Sequence, residues 1–152
     1  MMKLKVGDPA PDFKLKDEQR NLRSRDEFRD RKLVIYFYPK DDTPGCRKEA
    51  CSFRDSYQEL MTAGIQVLGI SYDSPESHRE FKEKYQLPFI LLSDQTRETT
   101  RAYGAYAPIL GYLSPRRYTY LVDEQGKIIK IFTRVRVEEH ASEVLKAFQQ
   151  ES

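Results

Sequence analysis

The chain has 152 residues, of which 39% are hydrophobic and 33% charged, and a chain of this length can bury a core without disulfides or metal ions. Its net charge of +2, from 26 basic and 24 acidic residues, gives no general reason to expect nucleic acid or an anionic membrane as a partner. No apolar run approaches the roughly 18 residues of a membrane span, and the N-terminus lacks an apolar stretch of signal-peptide length. We therefore expect a single domain over residues 1–152 that works in the cytoplasm.

The first part of the chain predicts an extended start, one short strand and a polar surface segment. Residues 9–12 contain two prolines, each of which favours an extended backbone in the residue before it. Residues 13–17 alternate apolar and polar side chains, which is the pattern of a short half-buried strand. Residues 18–32 are nearly all charged or polar, and we expect them to form a turn and a short helix at the surface.

A buried strand followed by an amphipathic helix is predicted next. The apolar run Leu33–Tyr38 indicates the strand, which Pro39 ends because proline cannot donate to a sheet ladder. Thr43 is a good N-cap and Pro44 suits the first helical position, so a helix is expected to begin there and to end at Gly64. The side chains expected to face inward along this helix are Ala50, Phe53, Tyr57, Leu60 and Met61.

The rest of the chain continues an alternation of strands and helices and ends with a hairpin and a helix. The predicted elements are a strand (65–72), a helix from Pro75, a strand (87–93), a helix (96–103), a loop (104–115), a hairpin (117–123 and 127–132) and a helix (138–150). This order is typical of an α/β thioredoxin-like fold, with a central mixed β-sheet and helices on both faces.

Both cysteines of the chain, Cys46 and Cys51, lie at the junction between the first central strand and its helix. In a reducing cytosol such a pair is expected to cycle between redox states rather than form a permanent disulfide. A free thiol has a pKa of about 8.5, and the thiolate is the nucleophile. Cys46 is predicted in the first helical turn, where the helix dipole favours an anion. The two histidines, His78 and His140, are far from each other and from the cysteines, so we expect no metal site.

Several side chains are candidates to assist Cys46. Arg117 begins a late strand and shares one face of it with Thr119, whereas Arg116 is expected to point the other way or to lie in the loop. Thr43 has two possible roles, capping the helix or hydrogen-bonding a substrate oxygen near the sulfur. Pro39 and Pro44 either only end the strand and begin the helix, or also shield the thiolate from water.

These residues carry a resemblance to a known family. Pro39, Thr43 and Cys46 match the P-x3-[ST]-x2-C active-site motif of peroxiredoxins. The segment from Phe37 to Asp55 resembles the branch called peroxiredoxin Q, or bacterioferritin comigratory protein. Three further segments resemble the N-terminal segment, the third strand and the arginine-bearing strand of that family: residues 7–13, 91–94 and 117–123.

The resemblance implies a thiol-dependent peroxidase that reduces hydrogen peroxide and organic hydroperoxides without a cofactor. Cys46 would be the peroxidatic cysteine, and Thr43, the Cys46 amide and Arg117 would hold the peroxide oxygens. Cys51 would resolve the resulting sulfenic acid as an intrachain disulfide, which thioredoxin or a similar dithiol would reduce. The expected partners are therefore a peroxide and that reductant, with no nucleic acid or membrane. We expect a monomer, with a dimer as the alternative.

The spacing of the two cysteines makes a demand on this cycle. On an unbroken helix, five residues give about 7.5 Å of rise and separate the two side chains around the helix axis. A disulfide usually needs alpha carbons closer than about 7 Å. If Cys46 and Cys51 share one helix, we expect the segment from Thr43 to Ser52 to unwind before they join.

Two departures from the branch and two rival functions remain. Arg47 replaces a small polar residue, and we expect it to be solvated rather than to raise the potential around either thiol. The loop over residues 105–115 does not follow the branch pattern, which leaves the preferred peroxide and any dimer contact open. A disulfide reductase of thioredoxin type would need C-x-x-C rather than C-x4-C. A non-catalytic thioredoxin-fold module would not need Thr43, Cys46 and Arg117 together.

Overall fold

In a computed structural model of the chain, the described residues, 4–107 and 113–151, form one mixed sheet of seven strands. The strands are β1 (Lys14–Asp17), β2 (Leu22–Ser24), β3 (Lys32–Phe37), β4 (Ile65–Ser71), β5 (Ile90–Ser93), β6 (Thr119–Val122) and β7 (Ile128–Phe132). Their order across the sheet is β2-β1-β5-β4-β3-β6-β7. The central pairs β3–β4 and β4–β5 are parallel, and the outer pairs are antiparallel. The central strand β3 therefore has a parallel neighbour on one side and an antiparallel one on the other.

Helices cover both faces of this sheet. They are α1 (Pro44–Asp55), α2 (Tyr57–Thr62), α3 (Pro75–Tyr85), α4 (Glu98–Tyr103) and α5 (His140–Glu151), with a short 3₁₀ helix (Arg25–Phe28). No helix within the described ranges combines the length and the apolar character that crossing a membrane would take.

Strand β3 shows how the two faces are divided. Its side chains alternate, as the period of two in a strand requires. Val34 and Tyr36 face a core that includes residues of α1, α3 and α5, while Leu33 and Ile35 face a second core that includes Tyr103 of α4. Because both faces are covered, β3 is a continuous apolar run, and the predicted arrangement of helices on both sides is confirmed.

The structure corrects several predicted boundaries. The polar segment 18–32 contains strand β2 in addition to the turn and the short helix; β2 pairs with β1 at the sheet edge, where Leu22 is 62% exposed. The long helix predicted as far as Gly64 is interrupted at Ser56, where α1 ends and α2 follows. After this break Leu60 is fully buried but Met61 is 49% exposed, so the prediction of an inward Met61 was wrong.

The later elements lie close to their predicted positions. Helix α3 begins at Pro75, and the hydroxyl of Ser74 caps it by accepting from the amide of Ser77 at 3.1 Å. The predicted hairpin is formed by β6 and β7, and Gly126 in its turn has a φ of +80°, a conformation that glycine adopts without strain. Of the unusual loop over residues 105–115, residues 108–112 lie outside the described part of the chain.

Candidate active site

Cys46 lies where β3 ends and α1 begins. Strand β3 ends at Phe37, and the amide of Tyr38 donates to the carbonyl of Ile70 at the end of the parallel strand β4, at 3.0 Å. Helix α1 begins at Pro44, so Cys46 is the third residue of its first turn, and it is only 1% exposed. The amides of a first helical turn have no partners inside the helix, which favours an anion such as a thiolate there.

Arg117 contacts this thiol from a distant part of the sequence. Strand β6 runs antiparallel to β3, with Thr119 opposite Tyr36, and this pairing brings Arg117 beside the start of α1. Its Nη2 donates to Sγ of Cys46 at 3.2 Å. The predicted pairing of Cys46 with Arg117 is therefore present, and a guanidinium at this distance stabilises a thiolate.

Glu49 holds the guanidinium in that position. Its Oε1 accepts a hydrogen bond from Nη1 of Arg117 at 2.7 Å, while Nη2 of the same group points at the sulfur. Burial acts to lower the pKa of Arg117, but the charges of Glu49 and Cys46 outweigh it and raise that pKa. Arg117 therefore stays charged and bridges a carboxyl group and a thiol.

The protonation of Glu49 is balanced near neutral pH. Glu49 is fully buried, and within the described part of the chain its Oε2 has no hydrogen-bond partner. Burial raises the pKa of Glu49 to about 7, against the opposing effect of Arg117. The 2.7 Å hydrogen bond from Arg117 favours the carboxylate, but burial has the larger effect because Oε2 lacks a compensating donor.

His140, the first residue of α5, lies next to Glu49 and Thr119. It is fully buried, with Nε2 at 2.8 Å from Oγ1 of Thr119 and at 3.9 Å from Oε2 of Glu49. Its Nδ1 lies 3.1 Å from a carboxylate oxygen of Glu143. Burial lowers the pKa of His140, although Glu143 opposes this, so the ring is neutral at physiological pH. The ring also packs edge-on against Phe53 of α1, which joins α5 to the helix that carries the thiol.

Glu49 and His140 were not predicted from the sequence to belong to the site. A signal for Glu49 was available, because it follows Cys46 by three positions and so shares its helical face. A charged residue on that otherwise apolar face needs a partner. His140 had no comparable signal, since its contacts with Thr119 and Glu49 join separate elements of the fold.

Thr43 and Pro39 lie in the connection between β3 and α1. Thr43 occupies the N-cap position, but its hydroxyl donates to the carbonyl of Lys40 at 2.9 Å and caps no helical amide. The predicted side-chain cap is therefore wrong. With its proton committed to Lys40, the hydroxyl oxygen is left as an acceptor. Pro39 is half-buried beside this turn, and its shielding of the thiolate stays a prediction.

Cys51 is half-buried on the same uninterrupted helix as Cys46, and both thiols are free. Five helical residues correspond to about 7.5 Å of rise and about 140° of rotation, so the two thiols face different directions. Arg47 and Arg54 lie within electrostatic reach of Cys51 and are each raised in pKa partly by it. The Arg47 side chain is 42% exposed, in agreement with the prediction that it is solvated, and it also contacts the hydroxyl of Tyr85 at 3.4 Å.

One group with the ligand types of a cation site occurs among the described residues, formed by Asp41, Asp73 and His78. Its atoms are engaged within the protein. Nδ1 of His78 lies 2.7 Å from Asp41, Nε2 lies 2.9 Å from the carbonyl of Leu92, and the amide of Asp41 donates to Asp73 at 2.8 Å. These contacts anchor the turn that precedes α1.

Gly45 provides a test of how closely Arg117 must fit. A Cβ at this position would lie 3.1 Å from Nη2 of Arg117, which is tight enough to displace the guanidinium by a few tenths of an ångström. We expect Gly45→Ala to slow the reaction of Cys46 with hydrogen peroxide about threefold to tenfold. The free energy of unfolding should not fall, because alanine is the better helix former by up to about 1 kcal/mol. Rapid-quench kinetics and urea unfolding measure the two quantities, and an unchanged rate would contradict the fit.

Glu49 should make stability depend on pH. The folded protein keeps the Glu49 proton up to about pH 7, whereas the unfolded chain releases it near the ordinary glutamate pKa of 4.5. Because the pKa is raised on folding, stability falls as pH rises through this interval. Compared with Glu49→Gln, the wild type should lose about 3 kcal/mol between these pH values. Urea unfolding of both proteins across that range measures the difference, and parallel curves would contradict the assignment.

Comparisons with known proteins agree with this geometry. A family model described as the AhpC/TSA family matches residues 6–131. The chloroplastic peroxiredoxin Q of Oryza sativa subsp. japonica is 45% identical over 148 residues, which cover 97% of this chain and 68% of the rice protein.

Solved structures extend the similarity to the fold. Peroxidoxin BcpB from Mycobacterium tuberculosis superposes with a TM-score of 0.90 at 31% identity and covers 97% of both chains. The bacterioferritin comigratory protein of Xanthomonas campestris superposes with a TM-score of 0.86 at 32% identity and covers 91% of both chains. The predicted thioredoxin-like fold is confirmed. The chain therefore belongs to the AhpC/TSA family, as a peroxiredoxin of the peroxiredoxin Q and bacterioferritin comigratory protein branch.

Proposed function

We propose that Cys46 is the peroxidatic cysteine of this thiol-dependent peroxidase and that Cys51 is its resolving cysteine. The observation that carries the first assignment is the buried sulfur of Cys46, 3.2 Å from the Arg117 guanidinium at the start of a helix. A buried thiolate is costly unless a cation and hydrogen-bond donors compensate it, and both are present here. Cys51 is less buried and has no hydrogen bond to Arg117.

In the first step, the Cys46 thiolate attacks one oxygen of the peroxide. An S–O bond forms, the O–O bond breaks, and the leaving oxygen takes the electron pair and then a proton to become water or an alcohol. Negative charge thus moves from sulfur to the leaving oxygen. Arg117 and the Cys46 amide supply donors for that charge, and the Thr43 hydroxyl oxygen accepts from the peroxide proton.

In the second step, Cys51 attacks the sulfenic sulfur of Cys46. The S–S bond forms, the S–O bond breaks, and the hydroxyl group leaves with a proton as water. Since the two residues occupy one continuous helix, the first turns of α1 must unwind to bring their beta carbons together.

In the third step, a dithiol reductant exchanges with the Cys46–Cys51 disulfide, is itself oxidised to a disulfide, and restores both thiols. We assign this role to thioredoxin or a similar dithiol protein of the cytoplasm, and we assign the peroxidase a monomeric state. The Xanthomonas campestris relative was studied for its alkyl peroxide reduction activity, which supports organic hydroperoxides beside hydrogen peroxide as substrates.

Peroxide consumption coupled to thioredoxin, thioredoxin reductase and NADPH tests these roles. Cys46→Ser should abolish turnover because the nucleophile is gone. Cys51→Ser should complete one turnover, with one water or alcohol released per protein, and then recycle poorly. Equal rates for the wild type and Cys46→Ser would overturn the assignment of Cys46, and unimpaired recycling by Cys51→Ser would overturn that of Cys51.

Unwinding of α1 should be visible in amide hydrogen exchange. The amides of the segment from Thr43 to Ser52 should lose protection in the disulfide form, because their helical hydrogen bonds break. Amides in the second half of α5 should keep their protection and serve as the internal control, whereas the amide of Ala141 at its start donates to Ser52 and is left out. Exchange measured by mass spectrometry on the reduced and oxidised wild type gives the comparison, and equal protection of α1 in both forms would reject the unwinding step.

A further inference from the structure

The far end of α3 is fastened to the turn and helix that carry Cys46. The hydroxyl of Tyr85 donates to Oδ1 of Asp42 at 2.6 Å and accepts from Nη1 of Arg47 at 3.4 Å. Nζ of Lys84 donates to Oδ2 of the same aspartate at 2.7 Å. Two of these residues, Asp42 and Arg47, lie immediately before and within the segment that must unwind. We name the contacts of Asp42, Arg47, Lys84 and Tyr85 the α3 clamp.

We propose that Tyr85 is a positioning residue that sets the rate of disulfide formation by holding the start of α1 in its helical form. The proposal rests on the roles given above to Cys46 and Cys51. In the helical form, the Tyr85 hydroxyl hydrogen-bonds to Asp42, which precedes α1, and to Arg47, which lies within α1. Unwinding moves Arg47 away from Tyr85 on α3 and from Asp42, so the contacts of Arg47 with both residues must break before Cys51 can reach the sulfenic sulfur.

The clamp acts on a residue with a turn conformation. The φ of Asp42 is +58°, a left-handed conformation that is unfavourable for most residues and that aspartate and asparagine tolerate better than the others. Lys84 and, to a smaller extent, Tyr85 lower the pKa of Asp42, and Tyr85 is the largest contributor to the raised pKa of Arg47. The contacts therefore involve the charged groups of Asp42, Lys84 and Arg47, and together they hold this turn against α3.

Two further contacts of Tyr85 do not involve its hydroxyl group, so they are independent of the α3 clamp. Nη1 of Arg54 donates to the backbone carbonyl of Tyr85 at 2.9 Å. Arg54 lies beyond the segment expected to unwind, so this contact survives in both forms and contributes nothing to the difference between them. The Tyr85 ring also packs against Phe81, with ring centroids 5.6 Å apart, and keeps that contact without its hydroxyl.

Two reactions of the Cys46 sulfenic acid therefore compete, further oxidation by peroxide and disulfide formation with Cys51. A clamped helix keeps Cys46 in the site, where a second peroxide can oxidise the sulfenic acid to sulfinic acid. A released helix lets Cys51 form the disulfide first. Weakening the clamp should therefore speed disulfide formation and protect Cys46 from overoxidation, while the first reaction with peroxide stays the same.

Tyr85→Phe is the direct test, because it removes one hydroxyl and keeps the ring. Reduced protein is mixed with hydrogen peroxide, quenched with acid, and the forms of Cys46 are counted by mass spectrometry. This readout is needed because the chain has no tryptophan to report the steps by fluorescence. We expect the first-order rate of disulfide formation to rise about fivefold, from the loss of hydrogen bonds to charged groups. The second-order rate of sulfenic acid formation should not change.

Two more variants complete the design. Asp42→Asn keeps a residue that tolerates positive φ but weakens the bonds from Lys84 and Tyr85, so it should also speed disulfide formation. Tyr106→Phe is the matched control: it deletes a tyrosine hydroxyl that accepts from Arg101 at 3.1 Å on the opposite face of the sheet. The control should leave both rates unchanged.

The outcomes distinguish this inference from the proposed function. A faster disulfide step in Tyr85→Phe, with less sulfinic acid at high peroxide and an unchanged first step, supports the clamp. An unchanged disulfide step in Tyr85→Phe, or an equal acceleration in Tyr106→Phe, overturns the clamp and leaves the roles of the cysteines intact. If wild-type Cys46 forms no sulfenic acid, the proposed function fails, and the clamp fails with it.

Discussion

The hydrogen bond from Arg117 to Cys46 is the interaction on which the rest of the site depends. The thiol is almost fully buried, and a buried anion persists only when a cation and donors replace the lost water. Arg117 supplies the cation, and Glu49 on the same helix as the thiol fixes its orientation. His140, at the start of α5, packs beside Glu49, and both side chains are fully buried away from water. The cost of burying this carboxyl group is expressed in its raised pKa.

The proposed roles of Cys46 and Cys51 place two opposing demands on α1. Attack on peroxide needs the helix folded, because only then do its first amides and Arg117 surround the same sulfur. Resolution needs the helix unwound, because Cys51 lies more than a turn away on another side of it. The contacts between the helix start and α3 lie at the boundary of the segment that must change, so they affect the balance between the two forms. Phe53, the last core residue of α1, lies beyond it.

Local patterns in the sequence predicted most of the fold. Apolar runs located the central strands, and cap residues with prolines located the starts of α1 and α3, because these signals act within a few residues. Strand β2 was missed because an edge strand with exposed side chains lacks a buried face to produce a pattern. The break at Ser56 was missed because helical spacing continued across it.

For the site, the sequence predicted Cys46 as the candidate nucleophile, its place in the first turn of a helix and its contact with Arg117, just before β6. Each of these predictions follows from a motif or from the alternation of side chains that leads into β6. The partners of Glu49 and His140, the hydrogen bond of the Thr43 hydroxyl and the contacts of Tyr85 could be seen only in the folded chain. The physical reason is that most of these contacts join side chains from different elements, and that the burial that shifts a pKa exists only after those elements have packed.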